Sequence, residues 1–322
     1  GAIAAGHKQT VEAAELALRE GGNAFDALIS AVAADCVVEP ALAALGGGGF
    51  AIVRPASGRP KVIDFFSHTP QQKCPENELH FHGIEVDFGA AVQEFHVGRG
   101  SCATPGMVAG LFSIHESLGS LPIRELFTPA IGFAAKGVEM TPFQSYTINL
   151  LEAIYRSQPT ALASFSSPAD SQSLIGEREI LRQGELADSL EALAYEGADL
   201  FYKGEIGQRL VNDMSAGGHI TLDDLADYAV DVREPIEVRH NSWHLFSNPP
   251  PSSGGTLIAF ALKLLAIDER EHAAVGTPEY LHRLVEVMRL TSQARLEAEI
   301  KGDVPLNRTL LDAEFIEVWR NK

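Results

Sequence analysis

The chain has 322 residues, of which 45% are hydrophobic and 21% are charged, so it can bury a large core and is not expected to be disordered. Its formal net charge is -18 and its basic residues are scattered, which disfavours nucleic acid and anionic membranes as partners. The three cysteines, Cys36, Cys74 and Cys102, are odd in number and lack CxxC spacing. They indicate neither a disulfide framework nor a zinc knuckle.

Two helices are predicted at the start of the chain. The first covers residues 8–20, with Thr10 as its cap and Gly21–Gly22 as its end. Asn23 is expected to cap the second, over residues 24–38. The second helix is apolar on nearly all sides, so it should be buried.

Four consecutive glycines, Gly46–Gly49, follow the second helix. Glycine loses more backbone entropy on folding than any other residue, so such a run needs a structural reason. Either another part of the chain approaches the backbone here, or the chain turns where no Cβ fits. After the run, residues 50–55 and 61–66 predict two short strands that pair as a hairpin.

The glycine run is also a candidate nucleotide-binding loop. Gly46, Gly48 and Ala51 match the spacing of the dinucleotide fingerprint. That fingerprint requires a strand before the loop and a helix after it, so that the pyrophosphate meets a helix N-terminus. Here a helix leads in and a strand leads out. The sequence therefore predicts no nucleotide cofactor at this loop.

The remaining elements are predicted from periodicity and capping signals. In chain order they are helices over 105–136, a mostly helical region over about 150–215 with a Ser-rich break at 163–173, a capped helix start at Thr221, two strands within 234–247, and a long amphipathic helix over 277–300. We interpret the region of about 150–215 as a helical lobe on the sheet core.

One group of histidines has two interpretations. His80 and His82 lie on one side of an extended segment, with Glu78 and Asp87 nearby, an arrangement that can hold a metal. Polar loop histidines are far more common, and we predict no metal site.

The second glycine-rich turn is "NPPPSSGGT", residues 248–256. Its serines, Ser252 and Ser253, are either caps of the following helix or hydroxyls in a site. Capping is the more common role of such serines.

Five stretches, taken together and in this order, resemble the gamma-glutamyltranspeptidase family of N-terminal-nucleophile hydrolases. They are "LREGGNAFDALISAVAADCVVEPALAALGGGGFAIV", "ATPGMVAGLFSIHESLGSLPIRELFTPAI", "FYKGEIGQRLVNDM", "ITLDDLADYAVDVREPI" and "PPPSSGG". The resemblance implies an α+β fold, a four-layer αββα sandwich, in which this chain is the large-subunit portion. It makes Gly46, Gly47, Gly48, Gly49, Ser252 and Ser253 parts of loops near the site.

The resemblance also implies a partner. Family members are precursors that cut themselves in two, and the new N-terminal threonine of the small subunit is the nucleophile, with its own amine as the base. We therefore expect residues 1–322 to be a large subunit with no catalytic nucleophile, no metal and no cofactor. The expected partners are a small subunit from the same precursor and a small-molecule amide. The sequence leaves two properties undecided: whether two such heterodimers form a dimer, and whether the compartment is cytoplasmic or periplasmic.

One departure from the family concerns the acyl group. Typical members carry Asp-Phe-Arg-Glu after the second strand, and the arginine binds the α-carboxylate of the glutamyl group. Here Phe66 stands at the arginine position, followed by Ser67 and His68. A phenyl ring cannot make the bidentate contact of a guanidinium. Either Phe66 lies beneath an apolar or aromatic acyl group, or it is a core residue and another arginine, such as Arg99, binds the carboxylate.

The sequence therefore predicts the large subunit of a transpeptidase-like amidohydrolase or acyltransferase, with Phe66, Ser67, His68 and Arg99 as candidate substrate-binding residues. One alternative is a true gamma-glutamyltransferase, that is, a glutathione hydrolase, with a relocated carboxylate clamp. The other is a non-catalytic homologue that binds a ligand. A threonine at the start of the companion chain would favour an enzyme.

Overall fold

A computed structural model describes residues 1–240, 242–265, 274–301 and 306–322. The strands are β1 (Gly49–Val53), β2 (Lys61–Phe65), β3 (His82–Asp87), β4 (Val92–Val97), β5 (Val138–Glu139), β6 (Ile180–Leu181), β7 (Asp231–Arg233), β8 (Ile236–His240) and β9 (Trp243–Ser247). The helices are α1 (Lys8–Arg19), α2 (Ala24–Val38), α3 (Met107–Leu118), α4 (Ile123–Lys136), α5 (Pro142–Leu150), α6 (Glu152–Arg156), α7 (Pro159–Ser164), α8 (Gly184–Glu196), α9 (Asp199–Tyr202), α10 (Glu205–Met214), α11 (Leu222–Ala226), α12 (Gly254–Leu265), α13 (Pro278–Lys301), α14 (Leu306–Leu310) and α15 (Ala313–Arg320). A 3₁₀ turn, η1, covers Arg99–Ser101.

The chain divides into two compact units. The first comprises Gly1–Gly49 and Phe65–Val230, and the second comprises Phe50–Asp64 and Asp231–Lys322. The architecture is α+β. No helix in the described ranges is long and apolar enough to cross a membrane.

The helical part of the first unit is built around α2. Helix α2 packs against α1, α3 and α4, and α4 packs in turn against α8. Its residues are buried on several sides, as its uniformly apolar sequence predicted. Asn23 caps it as expected, since the Asn23 side chain accepts hydrogen bonds from the Phe25 and Asp26 N–H groups. Asp26 completes a capping box by accepting from the Asn23 N–H.

The predicted cap of the first helix is wrong. His7, not Thr10, is the N-cap of α1, and its Nδ1 accepts from the Gln9 N–H at 3.2 Å. Thr10 lies inside the helix and is buried, with its hydroxyl donating to Asp35 at 3.0 Å. The Thr10 hydroxyl, which the local pattern assigned to capping α1, thus forms a tertiary hydrogen bond to α2 instead.

The rest of the first unit combines short helices with two small antiparallel sheets. Strands β3 and β4 form a hairpin that the sequence did not predict, with His82 opposite Val97 and Asp87 opposite Val92. Strands β5 and β6 pair over two residues. Helix α11 begins at a capping box on Thr221, as predicted, because Thr221 and Asp224 bond each other's backbone N–H groups.

In the second unit, a three-stranded sheet has the order β1-β2-β7. Strands β2 and β7 are antiparallel, with Asp64 opposite Asp231. Arg233 pairs with both carboxylates: its Nε lies 2.7 Å from Asp64 and its Nη2 lies 2.5 Å from Asp231. The Asp64 side chain is buried, so this arginine supplies the opposite charge that a buried carboxylate requires.

The predicted strand pair of 234–247 is confirmed as the β8–β9 hairpin, which packs on α12 through Ile236, Val238 and Ala259. Helices α12 to α15 share a core that includes Phe260, Ala294 and Trp319. The long helix predicted over 277–300 is α13. The helix that the sequence predicts over residues 257–267, after the glycine-rich turn at 248–256, is α12, and residues 266 and 267 lie outside the described ranges.

Candidate substrate site

The end of β2 and the residue after it present two adjacent phenylalanines in opposite directions. Phe65 ends the strand and is buried, with 5% of its surface exposed, whereas Phe66 is 52% exposed. Opposite faces for successive residues are the normal geometry of extended backbone. Phe66 is therefore not buried within the described part of this chain. Its ring lies at the surface of the first unit.

Two members of the glycine run are required by close packing against this segment. A Cβ on Gly48 would lie 2.6 Å from the Ser67 nitrogen and 2.7 Å from the Phe65 carbonyl oxygen. A Cβ on Gly49 would lie 2.9 Å from the Phe65 ring. These distances are shorter than real Cβ contacts. The run is thus glycine-rich because the backbone of the 65–67 segment passes directly over it.

The other two glycines have more room. A Cβ on Gly46 would meet nothing within 4 Å, and one on Gly47 would lie 3.1 Å from the Ala44 carbonyl oxygen. Gly47 contributes through its backbone, since its carbonyl accepts hydrogen bonds from the N–H groups of Gly106 (2.9 Å) and Met107 (3.0 Å). The glycine run therefore also joins the start of α3.

A second backbone connection ties residues 66–68 to the residues before α3. The His68 N–H donates to the Thr104 carbonyl at 3.0 Å, and the Thr104 N–H donates to the His68 carbonyl at 2.8 Å. Thr104 is 2% exposed, whereas the His68 side chain faces solvent. The result is a hydrogen-bonded frame that holds the 66–68 segment beside the residues before α3.

Tyr228 also contacts this segment, at both Phe66 and His68. Its hydroxyl donates to the Phe66 carbonyl at 2.8 Å, and its ring centroid lies 4.6 Å from that of His68. A Cβ on Gly106 would lie 2.0 Å from the Tyr228 hydroxyl and 2.1 Å from the Phe65 carbonyl oxygen. Only glycine fits at position 106.

Tyr202 supports Tyr228. The two rings stack with centroids 5.5 Å apart and planes inclined by 16°. The Tyr202 hydroxyl donates to the Pro105 carbonyl at 3.0 Å and accepts from the Ala109 N–H at 3.2 Å. Burial raises the pKa of Tyr202 to about 12, so the phenol stays protonated at neutral pH and acts as a hydrogen-bond donor.

The sequence did not point to either tyrosine. Tyr228 lies in "TLDDLADY" and Tyr202 in "FYKGEIG", stretches that by themselves indicate only a capped helix start and family motifs. Local patterns carry no information about a partner more than a hundred residues away. The clue that the sequence does contain is a tyrosine near the end of each of two short helices: Tyr202 is the last residue of α9, and Tyr228 comes two residues after α11.

Arg99 lies in the same unit but in a different environment. Its Nε donates to the Asp213 carbonyl at 2.6 Å, and its backbone N–H donates to His80 Nδ1 at 3.4 Å. Together with Cys102 and Tyr155 it lines a cavity of about 680 Å³, and the described lining of that cavity does not include Phe66, Ser67 or His68.

Ser252 and Ser253 belong to the second unit, directly before α12. Both are half-buried, and the Ser253 carbonyl accepts from the Leu257 N–H at 3.0 Å. Gly255 is required by space, because a Cβ there would lie 2.0 Å from the Asn248 carbonyl oxygen. The second glycine-rich turn therefore also marks a close approach of backbone to backbone.

The histidines that were considered as metal ligands, His80 and His82, lie close to each other in the structure. The His80 and His82 rings lie 5.3 Å apart. His80 Nδ1 already accepts the Arg99 N–H. Within the described ranges, no three side chains of the ligating types come together as a metal site would require.

Comparison with known proteins identifies the family. The model of the family described as Gamma-glutamyltranspeptidase matches residues 10–322. The chain is 32% identical over 305 residues to the acylase ACY 1 proenzyme of Pseudomonas sp. (strain V22), covering 92% of this chain and 53% of that protein. It is 33% identical over 332 residues to the glutathione hydrolase proenzyme of Pseudomonas aeruginosa, covering 98% of this chain and 56% of that protein.

A solved structure of a family member resembles the whole chain. The Helicobacter pylori gamma-glutamyltranspeptidase superposes with a TM-score of 0.85 at 26% identity, covering 100% of this chain and 91% of that chain. The chain belongs to the gamma-glutamyltranspeptidase family, as its motifs predicted. It spans about half the length of the curated relatives that it matches.

Proposed function

We propose that this chain is the large-subunit part of an amidohydrolase or acyltransferase that accepts an apolar or aromatic acyl group. The nucleophile is the N-terminal threonine of a companion small subunit from the same precursor. The relatives named as proenzymes, and the chain's coverage of about half their length, support a second chain. The relative named as an acylase supports an acyl group other than gamma-glutamyl.

The exposed ring of Phe66 carries this proposal. It stands where the family pattern has an arginine, on a segment whose backbone is held by Gly48, Thr104 and Tyr228. Residues 66–70 contain no arginine or lysine. A half-exposed aromatic ring on a rigid segment favours contact with an apolar surface and offers nothing to an α-carboxylate.

The chemistry divides between the two chains. The companion threonine Oγ attacks the amide carbonyl, an ester bond to Oγ forms, and the amide C–N bond breaks as the leaving amine takes up a proton. Water or an amine then attacks the ester, which releases the acyl product and restores the threonine. In this proposal the present chain binds and orients the acyl group, and no metal or cofactor takes part.

The proposal extends to the architecture. Residues 1–322 and the companion chain together form one four-layer αββα sandwich, and the region of about 150–215 is a helical lobe within it. The α+β composition of the chain and its similarity to the Helicobacter pylori structure support this arrangement. Mass measurement under native conditions determines whether one heterodimer or two make up the particle.

Expression of the whole precursor tests the proposal. Intact-mass analysis and N-terminal sequencing should give two chains, the second beginning with threonine. The kcat/KM of the processed enzyme should be higher for a phenylacetyl anilide than for a gamma-glutamyl anilide. A preference for the gamma-glutamyl anilide would contradict the proposed acyl group.

A second candidate function is that of a glutathione hydrolase. The name of the Pseudomonas aeruginosa relative favours it, and Arg99 would then be the carboxylate clamp. The anilide comparison separates the two candidates, since Arg99→Gln would abolish gamma-glutamyl activity only in the second. A companion chain that lacks an N-terminal threonine, and hydrolysis of neither anilide, would instead favour a ligand-binding homologue.

A further inference from the structure

Tyr228 contacts two of the three residues of the segment 66–68, called here the acyl-group segment because the proposed function assigns it to the acyl group. Its hydroxyl holds the carbonyl of Phe66 at 2.8 Å, and its ring packs beside that of His68 at 4.6 Å with the planes inclined by 38°. The first contact fixes the peptide that follows the Phe66 side chain. The second limits the movement of the His68 ring. Both contacts act on the direction in which the segment presents its side chains.

Tyr202 prevents Tyr228 from moving away. The offset stacking of the two rings is a favourable aromatic geometry, and Tyr202 is 7% exposed. The Tyr202 hydroxyl is engaged on both sides, by Pro105 and by Ala109. Ala109 is in the first turn of α3, where N–H groups have no partner within the helix. The Tyr202 hydroxyl thus caps α3 from a distant part of the chain.

We infer that Tyr228, held in place by Tyr202, is a positioning residue that sets the orientation of Phe66 and thereby the affinity for the acyl donor. The inference rests on the proposed function, because it gives Phe66 the role of acyl recognition. Tyr228 acts through the Phe66 backbone and is not itself a catalytic residue. The pair also links the segment to the start of α3, through the Tyr202 hydroxyl and the stacked rings.

The first test is Tyr228→Phe in the processed enzyme. This variant keeps the ring and removes the hydrogen bond to the Phe66 carbonyl. Loss of one such bond should raise KM for the phenylacetyl anilide about three- to tenfold with little change in kcat. The KM for the amine acceptor should not change. The matched control is Tyr146→Phe on α5, an exposed tyrosine, which should leave all constants unchanged.

A double-mutant cycle separates positioning from a general structural role. If Tyr228 acts through the Phe66 ring, then Tyr228→Phe should have no further effect on donor KM in a Phe66→Ala background. A merely destabilised enzyme would instead show a lower kcat for every donor with unchanged KM. Additive effects of the two substitutions, or an unchanged donor KM in Tyr228→Phe, would overturn the inference.

A measurement that does not depend on activity completes the test. Amide hydrogen exchange of residues 66–69 should be about three- to tenfold faster in Tyr228→Phe than in the wild type, and unchanged in Tyr146→Phe. Unchanged exchange in Tyr228→Phe would overturn the inference even in an active enzyme. If exchange increases but neither anilide is hydrolysed, the proposed function fails while the mechanical link between Tyr228 and Phe66 stands.

Discussion

Phe65 and Phe66 are neighbours in sequence and face opposite environments: the first is 5% exposed and packs over the glycine run, and the second is 52% exposed. Because their exposure differs, the two side chains have different roles. Phe65 secures the segment to the first unit, and Phe66 offers a ring at its surface. Substitutions at the two positions should therefore affect different properties, with stability depending on Phe65 and acyl preference on Phe66.

Replacement of Phe66 by arginine should shift substrate preference towards gamma-glutamyl amides. Because position 66 is half-exposed, the guanidinium would not be a buried charge, and the precursor should still process. A charge-assisted pair with the α-carboxylate is worth roughly 1.5–3 kcal/mol, which corresponds to about a 10- to 150-fold change in relative kcat/KM. The measurement is the ratio of kcat/KM for gamma-glutamyl and phenylacetyl anilides.

Phe66→Leu is the control for this change, since it keeps an apolar side chain and adds no charge. Its ratio should stay near that of the wild type. A Phe66→Arg enzyme that processes normally with an unchanged ratio would show that Phe66 does not contact the acyl group. Ser67, His68 and Arg99 would then be the residues to test.

Alanine at Gly48 should destabilise the protein, whereas alanine at Gly46 should not. The added Cβ at Gly48 meets backbone atoms of Ser67 and Phe65, which cannot yield as a flexible side chain would. Overpacking of this kind costs about 1–3 kcal/mol. At Gly46 the Cβ meets nothing within 4 Å. There alanine should be neutral or stabilise by up to about 1 kcal/mol, because it restricts the unfolded chain.

Thermal and urea unfolding of the processed protein check this pair of variants. The same two proteins should also differ in self-processing, because Gly48 lies against the acyl-group segment. Equal midpoints for Gly48→Ala and Gly46→Ala would argue against the close approach of the two backbones.

The ion pair between Asp64 and Arg233 should matter more than the pair between Asp231 and the same arginine. The Asp64 side chain is 6% exposed, whereas that of Asp231 is 55% exposed. Arg233→Gln removes both pairs and takes this cation away from a buried carboxylate, so it should lower the free energy of unfolding by about 1.5–3 kcal/mol. Asp231→Asn removes an exposed partner and should cost less than about 1 kcal/mol. Urea denaturation measures both, and a larger loss in Asp231→Asn would be inconsistent with this ranking.

The carboxyl of Glu39 should make stability depend on pH. Burial, together with the negative charge of Asp35, raises its pKa above the ordinary value of 4.5. The folded state therefore disfavours the charged form. Stability is greatest below the ordinary pKa and falls as pH rises through the raised folded pKa.

Glu39→Gln should accordingly stabilise the protein near neutral pH, and the gain should vanish below pH 4.5. Thermal unfolding at several pH values provides the measurement. The same substitution at the exposed Glu191 on α8 controls for the loss of one surface charge. A stability difference that is independent of pH would rule out the proposed titration.

The sequence by itself determined the features that depend on short-range patterns. Asn23 and Thr221 cap their helices because capping involves residues two or three positions apart, and the alternation in 234–247 was enough to predict β8 and β9. The family was also evident from its motifs. Even local signals failed where tertiary contacts competed, as at Thr10, whose hydroxyl bonds Asp35 rather than a helix N–H.

Only the tertiary structure decided which glycines are indispensable and what holds the candidate site. The glycine run was recognisable, but the requirement at Gly48 comes from the backbone of Ser67. Tyr228 lies 162 positions from Phe66, and no sequence period links them. Close packing brings such residues together, and it depends on the shape of the whole unit. Local propensity therefore predicted the elements, and long-range packing made Phe66 an exposed residue on a fixed frame.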